Sequence, residues 1–556
     1  MKRIIFLAIF LAITIAAFTC DMAAMISEAG YNIAWRDSTS AASYDEQYDL
    51  IQFLENQSTT GGNNQDGYGL AYYKHEAVFG DTIYAFDDDS DVNYDNTPDP
   101  MDTMHDVVIS DANDVAIVMG HLRNGTGGTG SHPFVLQLED DEHVYTFMHN
   151  GGIVSEDEDE DIWSFLNNND WFDDGYESNW YGTDQDESLW IDSELLFHYI
   201  MYFIRETGYI SGLGYDTFGG IRAALNATLP GYSSPIYEHF QGDEVNNILN
   251  FILSDGENLY VYRNSLLTDD DHDLRYKTNS TSHNYMISTQ DYLTFQVLRD
   301  HLMIFTPHGF YDEDIDDWDE DYVSGTISVE HESWAQSKRV MGRLYIPYGD
   351  TLSIDASSVC YIPSTILVRG VLEISSDRIF RLNDYSEIIV DSSGAELYFE
   401  FNSSLDGNKA GFYFETAPNQ NPGGEAYIHG DRIVIENGGK INTQTYTSTT
   451  PPYNAITICS NSAERWDGIH FNDINATQIM RNFEISEINA ISFNGCGENR
   501  AYAHFIDVVI DDIGSFTADT SIPVKIYADE SAGCSLSNFD NPISDEIAKT
   551  IVHKYA

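Results

Sequence analysis

Apolar and polar positions follow three different rhythms along this chain. Residues 4–18 are almost wholly apolar, follow Lys2 and Arg3, and end on Ala17-Phe18-Thr19. A basic start, a short apolar run and small residues ahead of a cut form a secretory signal. The run is short for a membrane-spanning helix, and no later segment matches it. The expectation is a signal over residues 1–19, a secreted or cell-surface product, and no permanent membrane span.

From residue 20 to about 322, strand and helix patterns are mixed. "DGYGLAYY", "DVAIVMGHLR" and "EHVYTFMHNGG" read as buried strands ending in Gly-rich turns. In "IDSELLFHYIMYFIRETG" apolar residues recur at helical spacing behind Asp192 and Ser193. "NNILNFILSDGENLYVYR" sets Asp255-Gly256 between apolar runs and predicts a hairpin. From 323 to 556, short Ile- and Val-centred runs such as "STILVRGVLEIS" and "SEIIVDSS" alternate with polar residues. Their short, quasi-regular spacing favours a right-handed parallel β-helix, while the uneven period keeps a β-sandwich open. The expected fold class is therefore α+β, with an all-β domain following the mixed one.

Composition narrows the picture. A chain of 556 residues, 42% hydrophobic, can build more than one core. Its 91 acidic and 26 basic side chains give a formal net charge of -65. Such a surface repels phosphate backbones and anionic lipid, which argues against nucleic acid as a partner. A strongly hydrated surface explains the charge, with cation binding as the sharper alternative. Two acidic stretches, 87–102 and 155–161, interrupt the mixed domain. The first alternates carboxylates and amides like a calcium loop but lacks that loop's glycine and terminal glutamate, so a solvated loop is favoured.

Cysteine usage separates the two halves. Cys20 stands at the predicted cut, whereas Cys360, Cys459, Cys496 and Cys534 lie in the second half. In an oxidising compartment those four can form two disulfides or remain buried thiols. No CxxC pair occurs among them, and no metal is expected.

The chemistry-bearing segments are Cys20, "NNQDGYGLAYY" (63–73), "GHLRNGTGGTGSHPF" (120–134), "FMHNGG" (147–152) and "IDSELLFHYI" (191–200). In this order they resemble the class II glutamine amidotransferase domain, in its stand-alone branch with no fused synthase. The resemblance covers residues 20–322. It implies an αββα sandwich of the N-terminal-nucleophile type, with Cys20 as nucleophile once residues 1–19 are removed. It further implies that Asn150 and Gly151 donate to the oxyanion. Arg123 and Asp192 then hold the α-carboxylate and α-ammonium of a γ-glutamyl head. Asp66, Gly67, Tyr68 and Gly69 match the turn beside the nucleophile, and Thr126 and His132 match positions lining the pocket.

The residue types suit this reaction. A freed α-amine has a pKa near about 8, close to about 8.5 for a free thiol, so Cys20 carries its own general base. No cofactor is required. Each residue also has a plainer reading: Asn150-Gly151 as a hairpin turn, Asp192 as a helix cap, Arg123 as a surface arginine and His132 as structural. Gly125 and Ser131 depart slightly from the family pattern. Nothing resembles an ammonia-using synthase, so simple hydrolysis of a small γ-glutamyl amide is expected. The rivals are an N-terminal-cysteine acylase for another amide class and a non-enzymatic surface protein with a lipidated Cys20. The β-rich domain would serve as a spacer or make cell-surface or glycan contacts.

Overall fold

The computed structural model describes residues 21–27, 67–74, 82–88, 115–123, 132–139, 143–151, 156–176, 192–240, 248–264, 274–279, 284–289, 295–307 and 309–315, and between 322 and 553 a series of strands with some of the residues that join them. The chain divides into two units. Residues 1–206 and 220–317 form the first, and 207–219 with 318–556 form the second.

The first unit is built on two antiparallel sheets. One contains β1 (Asp21–Ser27), β2 (Gly67–Lys74), β3 (Thr82–Asp88) and β4 (Val115–Arg123). The other begins with β5 (Phe134–Gln137), β6 (Val144–Asn150), β7 (Asn250–Ser254) and β8 (Leu259–Arg263). β9 (Arg275–Asn279), β10 (Asn284–Ser288) and β11 (Phe295–Gln296) extend the first sheet, and β12 (His301–Thr306) and β13 (Gly309–Asp314) extend the second. The orders are β11-β9-β10-β1-β4-β2-β3 and β13-β12-β8-β7-β6-β5. Strand alternation turns every second side chain to one face. Met22, Ala24 and Ile26 of β1 therefore join Ile117 and Met119 of β4, and meet Met148, Ile252, Val261, Met303 and Phe305 from the second sheet in one buried core.

The helices are α1 (Glu156–Asn168), α2 (Asp192–Glu206), α3 (Thr217–Asn226) and the short α4 (Ile236–His239); α2 packs on β6 of the second sheet, and α1 packs on α2. The predicted helix is α2, nearly all of whose residues from Ser193 to Ile204 are buried. Its first turn holds Asp192 and Glu194 and its last holds Arg205, which complements the helix dipole. Phe197 stacks on Phe147 of β6 with ring centroids 5.2 Å apart. The acidic stretch 155–161, read from sequence as an insert without geometry, lies largely in the opening of α1. Carboxylates are favourable at a helix amino terminus, and Ile162 and Leu166 behind them are fully buried. On α3, Gly220 abuts α2: a Cβ there would stand 2.7 Å from the Ile204 backbone nitrogen. Gly220→Ala is expected to cost about 1–3 kcal/mol through forced displacement of packed backbone, measurable as a lowered Tm.

The second unit is strand-rich, and its described sheets pair in parallel. Residues His331–Trp334, Thr351–Ile354, Val371–Ile374, Glu396–Phe399 and Lys440–Thr443 pair in succession. The registers create columns of like residues. Leu344, Ile366, Ile388, Ile433, Ile469 and Ile491 stack in one, and all six are essentially buried. Polar residues between them pair along the outside, as in Arg432 with Glu387 at 2.7 Å and Lys440 with Glu396 at 2.9 Å. The 207–219 segment belongs to this unit. Ile210 and Leu213 pack on Leu367, and Arg343 donates to the Tyr215 carbonyl at 2.8 Å. No described helix is long and apolar enough to cross a membrane.

Candidate active site

Three strand ends meet on one edge of the first sheet. β1 begins at Asp21, the residue after Cys20, and Asp21 pairs with Leu122. Gly67, which opens β2, pairs with Arg123, which closes β4. Only the backbone of Arg123 and Gly67 is described. Cys20, Asp66 and Thr126 lie outside the described residues.

Three contacts join β6 to the first sheet. The Tyr73 hydroxyl donates to the Val144 carbonyl at 2.8 Å and lies 2.9 Å from the Thr146 hydroxyl. Thr146 in turn donates to the Met119 sulfur at 2.9 Å. Tyr73 pairs with Ile117 across β2 and β4. β6 thus lies against β2 and β4 at Tyr73 and Met119. Asn150 shares the Thr146 and Met148 face, is 1% exposed, and pairs with Asn250 of β7.

Gly151 follows with a φ of +154°. A Cβ at this position would overlap the Ile248 carbonyl oxygen and stand 2.8 Å from the Ile248 Cβ. Glycine is required because the two backbones touch. Gly151→Ala is expected to lower stability by about 1–3 kcal/mol and to displace the Gly151 N–H; thermal denaturation beside an activity assay checks both.

The opposite face of β6 carries His149, which the sequence reading did not single out. Its buried ring reaches the Ser193 hydroxyl through Nδ1 at 2.8 Å and the Ile248 carbonyl through Nε2 at 2.7 Å. A carbonyl only accepts, so Nε2 carries the proton. Burial holds this imidazole below its ordinary pKa, against the pull of the Asp192 charge and the Ile248 bond. Ser193 donates its backbone N–H to Asp192 Oδ1 at 2.7 Å, and its hydroxyl lies 3.3 Å from the same oxygen. Asp192 is thus the first residue of α2 and also part of a chain of polar groups running to β6. His132 is buried too, packed at 4.1 Å from the His121 ring and 4.4 Å from Phe134. The described geometry therefore links Asp192, through Ser193 and His149, to the strand that ends in Asn150 and Gly151. The signal for the two missed residues was adjacency: His149 precedes Asn150 and Ser193 follows Asp192.

No family model matches the chain, and no curated protein matches it. Among solved structures it is similar to glutamine phosphoribosylpyrophosphate amidotransferase from B. subtilis, complexed with ADP and GMP, at 12% identity and a TM-score of 0.32. That match covers 53% of this chain and 49% of the other, so the chain spans about half the length of that structure. A glutamine aminotransferase class-II domain protein from Silicibacter pomeroyi is similar at 16% identity and a TM-score of 0.30, over 53% of this chain and 99% of the other. A predicted glutamine amidotransferase from Pseudomonas aeruginosa is similar at 14% identity and a TM-score of 0.26, over 53% and 100%.

Proposed function

We propose that this protein is an exported N-terminal-nucleophile amidohydrolase of the class II glutamine amidotransferase type, which hydrolyses γ-glutamyl amides. The observation that carries this reading is that β1 starts directly after Cys20 beside the end of β4 at Arg123, and the close backbone approach at Gly151, where β6 ends, supports it. Removal of residues 1–19 would free the Cys20 α-amine. The amine takes the thiol proton, and the sulfur attacks the γ-carbonyl carbon. Asn150 and the Gly151 N–H stabilise the resulting oxyanion. Collapse breaks the C–N bond, and the amine leaves with the proton returned by the Cys20 ammonium. Water then attacks the thioester, releasing glutamate and restoring the thiol. Arg123 and Asp192 hold the two charges of the substrate head, while Asp66, Gly67, Thr126 and His132 shape the pocket. The reaction involves no cofactor.

For the second unit we infer a parallel β-helix. The aligned registers support it, and parallel crossovers are right-handed in about 98% of cases. Its role in this reading is that of a surface spacer or glycan-contacting module. The functional reading is tested with a panel of glutamine, γ-glutamyl peptides, asparagine and apolar N-acyl amides. Turnover confined to the γ-glutamyl compounds supports it. Turnover of the apolar amides alone would transfer the chain to another acylase class.

A further inference from the structure

We propose that His149 and Ser193 form a hydrogen-bonded bridge that fixes the separation between Asp192 and the Asn150-Gly151 donors, and so measures the length of the substrate head. This inference rests on the functional reading above. It begins with the location of the pair. His149 lies on β6 beside Asn150, and Ser193 lies on α2 beside Asp192, so the bond between them joins the two elements at the site.

Each polar contact along the bridge has one direction. The Ile248 carbonyl accepts from His149 Nε2. That leaves Nδ1 of the neutral ring as an acceptor for the Ser193 hydroxyl at 2.8 Å. The hydroxyl has a second acceptor, Asp192 Oδ1, at the longer distance of 3.3 Å. The Ser193 backbone N–H holds that same oxygen at 2.7 Å. At the other end, Ile248 is the residue whose carbonyl closes against Gly151. One chain of contacts therefore runs from Asp192 through Ser193, His149 and Ile248 to Gly151. Ser193, His149 and Ile248 between the two ends are buried, and buried polar networks of this kind rigidify what they connect.

The substrate gives this spacing a meaning. In a γ-glutamyl amide the α-ammonium and the reacting carbonyl are separated by one more methylene than in a β-aspartyl amide. Asp192 would bind the first group and Asn150-Gly151 the developing charge on the second. A rigid separation between them accepts one chain length and misplaces the other. Neither His149 nor Ser193 touches the reacting atoms in this account; both are positioning residues.

A double-mutant cycle tests the bridge. Ser193→Ala removes the hydroxyl, while His149→Gln keeps a donor near Nε2 for Ile248 and removes the Nδ1 contact. Each is expected to raise KM for glutamine about tenfold, the scale of one lost hydrogen bond, with KM rising more than kcat falls. The preference for glutamine over asparagine should shrink in both. The double variant should be no worse than either single, since both remove the same bond. A readout independent of turnover accompanies the kinetics: the nitrogen NMR signal of His149 Nδ1 should shift in Ser193→Ala. An inactive wild type that shows this shift overturns the functional reading and leaves the bridge. An active wild type with additive variants, an unchanged glutamine preference or an unmoved Nδ1 signal overturns the bridge and leaves the functional reading.

Discussion

Cys20→Ala is expected to abolish hydrolysis of γ-glutamyl amides, with glutamate release falling to the uncatalysed background. The thiol is the only protein group in the proposed scheme that bonds to substrate carbon, so no neighbour supplies a covalent route. A second variant separates nucleophile from base. Adding one residue ahead of Cys20 keeps the thiol but turns its α-amine into an amide, which cannot take a proton near neutral pH. That chain should be equally inactive, although its side chains are unchanged. Glutamate release from the processed, extended and Cys20→Ala proteins checks both expectations. Equal activity in the extended protein would show that the base lies elsewhere.

Asn150→Ala is expected to lower kcat by about 10²–10³, the usual loss for one oxyanion donor, equal to about 3–4 kcal/mol of transition-state stabilisation. KM should move much less, because the donor meets full negative charge only after the sulfur attacks. Asn150→Asp tests the sign of the interaction. It keeps the size of the side chain but sets a carboxylate against the oxyanion, and its loss should be at least as large. The buried position of Asn150, in register with Asn250 on β7, keeps the truncated variant within the same sheet. Steady-state kinetics on glutamine would check the split. A large rise in KM with kcat intact would move Asn150 from oxyanion stabilisation to ground-state binding.

Local rhythm made much of the fold legible before any coordinates. The helical spacing behind Asp192 became α2, and Asp255-Gly256 became the turn between β7 and β8. There the Asp255 carboxylate accepts from the backbone N–H groups of Glu257 and Asn258 at 3.0 and 2.8 Å. Gly256 adopts a φ of +88°. These features depend on neighbours a few residues apart, which sequence shows directly. The start of α1 was missed because a run of carboxylates has no apolar face until Ile162, Phe165 and Leu166.

The site was legible as residue types and order, and less so as connections. Asn150-Gly151 stood out as a motif. The need for glycine came from Ile248, which pairing of β6 with β7 carries beneath it from a distant part of the chain. The same holds for His149. Read alone, a histidine before Asn-Gly has no assigned partner; its role depends on α2 crossing β6 so that Ser193 faces the ring. In the second unit, alternation showed that strands exist. The parallel registers that stack Leu344, Ile366 and Ile388 follow from pairings across irregular intervals, which blurred the period in the sequence.

The most direct test of the central claim is peptide mass mapping of the exported protein after reaction with a glutamine-shaped electrophile. The account predicts one label, carried by the thiol of Cys20, on a peptide whose amino terminus is Cys20 itself, with labelling blocked by excess glutamate. An unlabelled protein, an acylated Cys20 amine, or a chain cut elsewhere so that Cys20 is internal would contradict it.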